Sequence, residues 1–228
     1  MVNARLFIEG GGERNQKAKD LPIRMREAFR KFLICAGIPD ARFTIVRCGS
    51  RGQVYQLFSN AVRDTSGTPA IPLLIVDSES EVAANIGPWT HLHQRDGWKK
   101  PPNCNDSHAH LMVQCMESWF LSDKKKISDY YGQGFQESSL PDTQPIEQAL
   151  KKDILDGLSQ ASKHTTKKTY DKGSHSFQIL ERLDPVRVAQ ASPWACRLIN
   201  TLKKILHLPI NRPWSCTEAQ INHPSIPK

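Results

Sequence analysis

The sequence predicts an α/β fold, with a central, mostly parallel sheet flanked by helices and a helical C-terminal extension. Three observations predict it. Short apolar runs of strand length (Leu6-Phe7-Ile8, Phe43-Thr44-Ile45-Val46 and Leu73-Leu74-Ile75-Val76) are separated by two amphipathic segments of helical period. That alternation of strand and helix is the pattern of a parallel sheet with right-handed crossovers. Beyond residue 145 strand-like runs cease and helical periodicity takes over.

The first strand, residues 5–9, ends in Glu9 and runs into Gly10-Gly11-Gly12. A polar loop follows to residue 21, and Pro22 suits a first helical turn. Over residues 23–36, Met25, Phe29, Phe32 and Leu33 recur at helical spacing between Arg24, Arg26, Arg30 and Lys31, and Gly37 marks the stop. A second strand over residues 42–48 leads into Gly49-Ser50-Arg51-Gly52. Val54, Leu57, Phe58 and Ala61 then place one apolar face on a helix over residues 54–62. The third strand ends in Asp77-Ser78-Glu79. Residues 80–107, with Pro88, Trp89, His91, His93, Trp98, Pro101 and Pro102, read as a long ordered loop. A fourth strand is expected at residues 110–114, a helix opening at 116–120, and a short helix at 122–131 carrying Lys124-Lys125-Lys126. The extension comprises a helix over residues 146–161, a basic linker over 163–172, and three short helices over 177–183, 185–191 and 194–206. The expected division is an α/β core over residues 1–135, a helical extension over 136–207 and an irregular tail over 208–228.

The chain has 228 residues, enough for one large domain or a domain with an appendage. Lys and Arg number 31 against 23 Asp and Glu, a net charge of +8, which favours polyanionic partners such as nucleic acid. None of the six cysteines forms a CxxC pair. Cys35, Cys115 and Cys196 lie in apolar surroundings and read as reduced core thiols. No secretory leader precedes the first strand and no run approaches the ~20 apolar residues of a membrane span, so a cytoplasmic setting is expected. His91, His93, His108 and His110 lack companions at zinc-finger spacing, and no Ser stands in a nucleophile elbow.

The chemistry lies in the acidic strand ends. Open α/β sheets place ligands at the C-terminal ends of their strands, and Mg²⁺ is held by one or two carboxylates with water and phosphate oxygens completing its shell. Glu9 and the pair Asp77 and Glu79, which alternate on the strand exit and so share a side, meet that requirement. The backbone N–H groups of Gly10 and Gly11 are candidates to face an anion, although the run lacks both GxGxxG spacing and a Walker lysine. Glu117, set among Cys115, Met116, Trp119 and Phe120, is a carboxylate costly to bury without a cation. Arg51, Lys172 and His175 are candidate phosphate contacts. Residues 163–172 suit a sugar-phosphate backbone, and Tyr170, Trp98 or Trp89 a stacked base.

Two resemblances bear on these residues. The arrangement of a Glu after the first strand (Glu9) and a DxD-like pair after a later one (Asp77, Glu79) resembles the Toprim domain of topoisomerases, primases and several nucleases. Glu79 stands where that pattern more often has Asp. Over a longer span the chain resembles the bacterial domain of unknown function family 4276. The phrases that carry it are LFIEGGG (residues 6–12), CGSRG (48–52), VDSES (76–80), QRDGWKKP (94–101), HLMVQCMESWFLSD (110–123), YYGQGF (130–135) and YDKGSHSFQIL (170–180). These resemblances imply a Toprim-like, Rossmann-like fold and a nuclease dependent on Mg²⁺ or Mn²⁺. Glu9, Asp77 and Glu79 would be metal ligands and Glu117 would complete the site. They further imply an AAA- or ABC-type ATPase partner in phage defence. The competing expectations are a Toprim-like module that binds nucleic acid or an ATPase without cutting, and a nucleotide-handling enzyme.

Overall fold

In the computed structural model, which describes residues 3–10, 20–64 and 70–210, four strands form one all-parallel sheet in the order β2-β1-β3-β4. They are β1 (Asn3–Ile8), β2 (Phe43–Arg47), β3 (Ala70–Asp77) and β4 (Ala109–Met112). Leu6 is in register with Ile45 on one side and Leu73 on the other, and Asp77 with Met112.

Strand alternation sorts the side chains onto two faces. Leu6, Ile8, Leu73 and Ile75 pack with Met25, Phe29, Phe32 and Leu33 of helix α1 (Leu21–Cys35). Phe7, Leu74 and Val76 face the other way, onto Val54 and Phe58 of helix α2 (Arg51–Arg63). Both faces of the sheet are covered, which is why its central strands read as unbroken apolar runs. The strand order reverses direction between β1 and β3. That switch point is where an open α/β sheet leaves a crevice.

The region expected as a loop contains helix α3 (Pro88–Asp96). Pro88 occupies its first turn and Gly97 caps it in the left-handed conformation at φ 69°. After β4 comes a 3₁₀ segment, Met116–Asp123, then helix α4 (Lys124–Tyr131). The single helix expected over residues 146–161 is a 3₁₀ turn, Ile146–Gln148, followed by helix α5 (Lys151–Ser162). Ala149 and Leu150 are extended at the break. Helices α6 (Ser176–Leu180), α7 (Pro185–Ala191) and α8 (Pro193–Ile205) complete the fold. The extension shares the core of the sheet: Ile154, Leu158, Ile179, Leu180, Ile199 and Leu202 belong to the same buried cluster as α1. Most of the expected tail lies outside the described residues. No helix among the described residues is long and apolar enough to cross a membrane.

One buried carboxylate fastens the extension. Glu147 accepts hydrogen bonds from the Ser192 hydroxyl and from the Trp194 N–H (3.1 Å), at the N-terminus of α8. Burial drives its carboxyl up to about 7 in spite of those two bonds. Glu147→Ala strands both donors and is expected to cost ~2 kcal/mol in urea unfolding, whereas Glu147→Gln keeps the acceptor and costs far less.

The cysteines differ from expectation in two places. Cys196 is disulfide-bonded, while Cys35, Cys48, Cys104 and Cys115 are free, and Cys35 is exposed. An apolar sequence context does not distinguish a buried thiol from a half-cystine.

Candidate active site

The C-terminal edge of the sheet gathers most of the predicted residues. Glu9 follows β1, Arg51 opens α2 after β2, Asp77 ends β3, and Glu117 sits in the 3₁₀ segment after β4. Local structure fixes each one. Ser50 and Gln53 form a capping box that sets Arg51 in the first turn of α2. Trp119 stacks on Phe32 at 5.3 Å and meets Phe29 edge-on, anchoring the 3₁₀ segment against α1. Ser118 Oγ accepts from the N–H groups of Gln114 (3.0 Å) and Cys115 (3.4 Å), and Asp77 Oδ1 accepts from the Met116 N–H (2.9 Å). Glu117 is thereby carried to the end of β3, forty residues on from Asp77 in sequence.

Asp77 and Glu117 converge on one cation. Lys172 Nζ lies 3.5 Å from Asp77 Oδ2 and 3.5 Å from Glu117 Oε2, so the two oxygens are no farther apart than twice that distance. Glu117 is completely buried. Its Oε1 accepts from the Tyr170 hydroxyl at 2.8 Å, and its Oε2 has no hydrogen-bond partner. Burial pushes the Asp77 carboxyl up to about 7. Lys172 opposes that rise, while Glu117 and Glu9 add to it. Lys172 is itself raised: burial works against its charge, but Glu117 and Asp77 outweigh it. The same two carboxylates, added to burial, push the neighbouring Cys115 thiol up.

Glu9 stands beside this pair, held by a separate guanidinium. Arg51 Nη1 donates to Glu9 Oε2 (2.7 Å) and to the Asp77 carbonyl (2.7 Å). Its Nε and Nη2 grip both oxygens of Asp96, the last residue of α3, at 3.0 and 2.8 Å. The guanidinium also lies over the Trp98 ring, 5.1 Å from its centroid. Burial raises Glu9 overall, against the pull of Arg51.

Glu79 makes its ion pairs with cations other than Lys172, the one that pairs with Asp77. The expectation that the two side chains lie on one side assumed that strand geometry continues beyond Asp77. The strand ends there, and Glu79 adopts φ 68°. Its Oε2 accepts from Lys151 Nζ at 2.6 Å, with Arg95 4.0 Å away. Burial raises its carboxyl, but Lys151, Arg95 and Arg51 together bring it below the ordinary value. In charge terms Glu79 acts on both Glu9 and Lys172, and its partner Lys151 acts on Asp77.

Several other expectations change. Gly11 lies outside the described residues. Gly10 has φ 146°, and a Cβ there would lie 2.7 Å from Met25 Sδ, so close packing as well as backbone conformation demands glycine. His175 is not free on its Nδ1 side, which meets the Tyr131 hydroxyl at 3.0 Å and the Asp171 N–H at 3.2 Å. Trp89 and Tyr170 are buried and hydrogen-bonded, so neither presents an open face for a base; Trp98 is half-buried, stacked on Tyr55 at 4.5 Å. His91 and His110 donate to the carbonyls of Ser78 and Ser107. Asp96, Lys151 and the Tyr170–Glu117 bond escaped the sequence reading. Asp96 lies in the QRDGW phrase, but nothing local pairs it with Arg51, 45 residues away.

The match to a family model covers residues 8–203. The chain belongs to the domain of unknown function family DUF4276. The DUF4276 match begins one residue before Glu9 and takes in Arg51, Asp77, Glu79, Glu117 and Lys172; the whole of the expected tail lies beyond it. No curated protein and no solved structure matches the chain.

Among the described residues, no group of three His, Cys, Asp or Glu side chains is arranged to hold a metal as it stands. Two carboxylates nonetheless suffice for Mg²⁺, which keeps several waters. The donors are all oxygen, the class that suits Mg²⁺ and Mn²⁺ rather than zinc. Glu117 Oε2 is a buried acceptor lacking a donor. Asp77 and Glu117 therefore fit a hard divalent cation.

Proposed function

We propose that this DUF4276 protein is a Mg²⁺- or Mn²⁺-dependent phosphodiesterase acting on nucleic acid, with a Toprim-like site at the C-terminal edge of its sheet. The observation that carries the reading is the convergence of Asp77 and Glu117 on a single cation position, with Glu9 beside it at the β1/β3 switch point. A divalent ion held there would polarise a phosphoryl oxygen and acidify an attacking water. Asp77 and Glu117 would hold that ion. Glu9, with a carboxyl raised by burial, takes up or returns a proton, and Arg51 keeps it in place. Lys172 and Arg51 supply positive charge for the substrate phosphate. By family resemblance the proposal extends to an AAA- or ABC-type ATPase partner and a role in antiviral defence.

A second reading is a binding module without cleavage. It is favoured by the pairing of every candidate carboxylate with a cation: Glu9 with Arg51, Glu79 with Lys151, and Asp77 and Glu117 with Lys172. Incubation of the full chain with duplex DNA, single-stranded DNA and RNA, each with Mg²⁺ or Mn²⁺, separates the two. Products that EDTA abolishes support the phosphodiesterase. Tight binding with no product under either metal supports the module.

Both readings predict a strong salt dependence of binding. Lys167 Nζ and Arg182 Cζ lie 5.2 and 5.3 Å from the centroid of the Tyr130 ring, a ring that T-stacks with His175. If these two cations contact phosphates, the double variant Lys167→Glu, Arg182→Glu lowers the slope of log affinity against log salt by about 2. An unchanged slope would place the phosphate contacts elsewhere.

A further inference from the structure

Lys172 combines features of a counter-ion with those of a mobile arm. Its amine bridges two carboxylates, yet both separations are 3.5 Å, longer than the ~2.8 Å of a close charge-assisted hydrogen bond. Half of its side chain is open to solvent (52%), whereas the Glu117 side chain that it neutralises is fully enclosed (0%). One positive charge serves two negative ones, so the cluster of Asp77, Glu117 and Lys172 stays net negative when both acids are ionised. A buried carboxylate pair with no cation at all would be costly.

The point between Asp77 Oδ2 and Glu117 Oε2 is also the point that a divalent ion would take. An ammonium and a divalent cation cannot share it, because like charges a few ångströms apart in a poorly solvated site repel strongly. We propose that Lys172 is a resident counter-ion of the metal-free site, which a divalent cation displaces, turning the amine outward toward the substrate phosphates. The proposal rests on the reading that Asp77 and Glu117 hold the metal. It accounts for two facts that otherwise conflict: the carboxylates are already paired, and one of their buried oxygens still lacks a hydrogen-bond donor.

The backbone around Lys172 is tied down, so the exchange is a side-chain movement. The Ser176 hydroxyl donates to the Lys172 carbonyl, the Ser174 N–H to Asp171 Oδ1 (2.7 Å), and the Tyr170 N–H to Ser162 Oγ (2.7 Å). The amine itself makes no contact shorter than its two ion pairs among the hydrogen bonds of the described residues. A long, flexible lysine stem on a fixed turn suits a swing between two positions.

Calorimetric titration of Mn²⁺ alone into the full chain tests this, with thermal unfolding in EDTA run alongside. Lys172→Met is expected to bind Mn²⁺ at least tenfold tighter than wild type. Its unfolding temperature in EDTA should fall below that of wild type and recover when Mn²⁺ is added. Lys172→Arg, which keeps the charge, should bind Mn²⁺ as weakly as wild type. Should Lys172→Met not fold, Lys172→Gln provides the same comparison. Equal or weaker Mn²⁺ binding by the neutral variant overturns the exchange; the metal reading still stands if Glu117→Gln abolishes the binding. No Mn²⁺ binding by wild type or by either neutral variant overturns the metal reading, and the exchange with it.

Discussion

Asp77→Asn is expected to lower divalent-dependent cleavage by at least ~100-fold while leaving the fold intact, since loss of even a metal's outer-shell partner commonly costs 10- to 100-fold. The amide keeps the size of the side chain, and its oxygen still accepts from the Met116 N–H. What it loses is the charge. The same substitution should make the metal-free protein more stable above neutral pH. Burial, reinforced by Glu117 and Glu9 and opposed by Lys172, holds the Asp77 carboxyl at about 7 in the folded chain. In the unfolded chain it ionises near ~4. Between those values the unfolded state releases its proton while the folded state retains it, so rising pH erodes the stability of the wild type. The favourable contribution is complete below ~4 and gone once the pH passes about 7. An asparagine does not titrate. The advantage of the variant in urea unfolding with EDTA should therefore be absent near pH 4, grow toward pH 7 and level off above it. A variant less stable than wild type at pH 8, or one that cleaves at the wild-type rate, contradicts the role given to Asp77.

Arg51→Ala carries the largest expected stability loss, ~3 kcal/mol, the low end of what removing one partner of a buried ion pair costs. Arg51 joins the ends of β1 and β3 to the end of α3 through one planar group. It holds Glu9, the Asp77 carbonyl and both Asp96 oxygens, and it rests on Trp98. Alanine takes from Glu9 its ion-pair partner and leaves Asp96 with Arg95 alone. The side chains are mostly rather than wholly enclosed, which keeps the loss from reaching the top of the range. Arg51→Lys should recover less than half, because one ammonium cannot grip Asp96 with two donors and reach Glu9 as well. A loss below ~1 kcal/mol in urea unfolding would mean that water already shields this group.

The sheet was legible because strand period, strand length and acidic strand ends are local signals. Leu6, Ile8, Leu73 and Ile75 share a face in the structure as simple alternation requires. Glu117 was legible as a buried carboxylate in an apolar run, and it is fully enclosed. Helix α3 was missed although its punctuation was present, a proline at the first turn and a glycine at the end; aromatic and histidine content masked the period over nine residues. Alternation does not extend to Glu79, because the strand ends two residues before it and its backbone turns to φ 68°. Lys172 was flagged as a basic residue, but its meeting with Asp77 and Glu117 joins positions 95 and 55 residues apart, a distance no local pattern spans. The split at Ala149 and Leu150 was hidden by an apolar stripe that runs unbroken through an extended stretch.

Anomalous scattering from crystals of the wild-type protein grown with Mn²⁺ tests the central claim most directly. The predicted result is one peak bonded to oxygens of both Asp77 and Glu117 at roughly 2.1 Å, with the Lys172 amine moved off the pair. Manganese bound elsewhere, with Lys172 still bridging the two carboxylates, would contradict it.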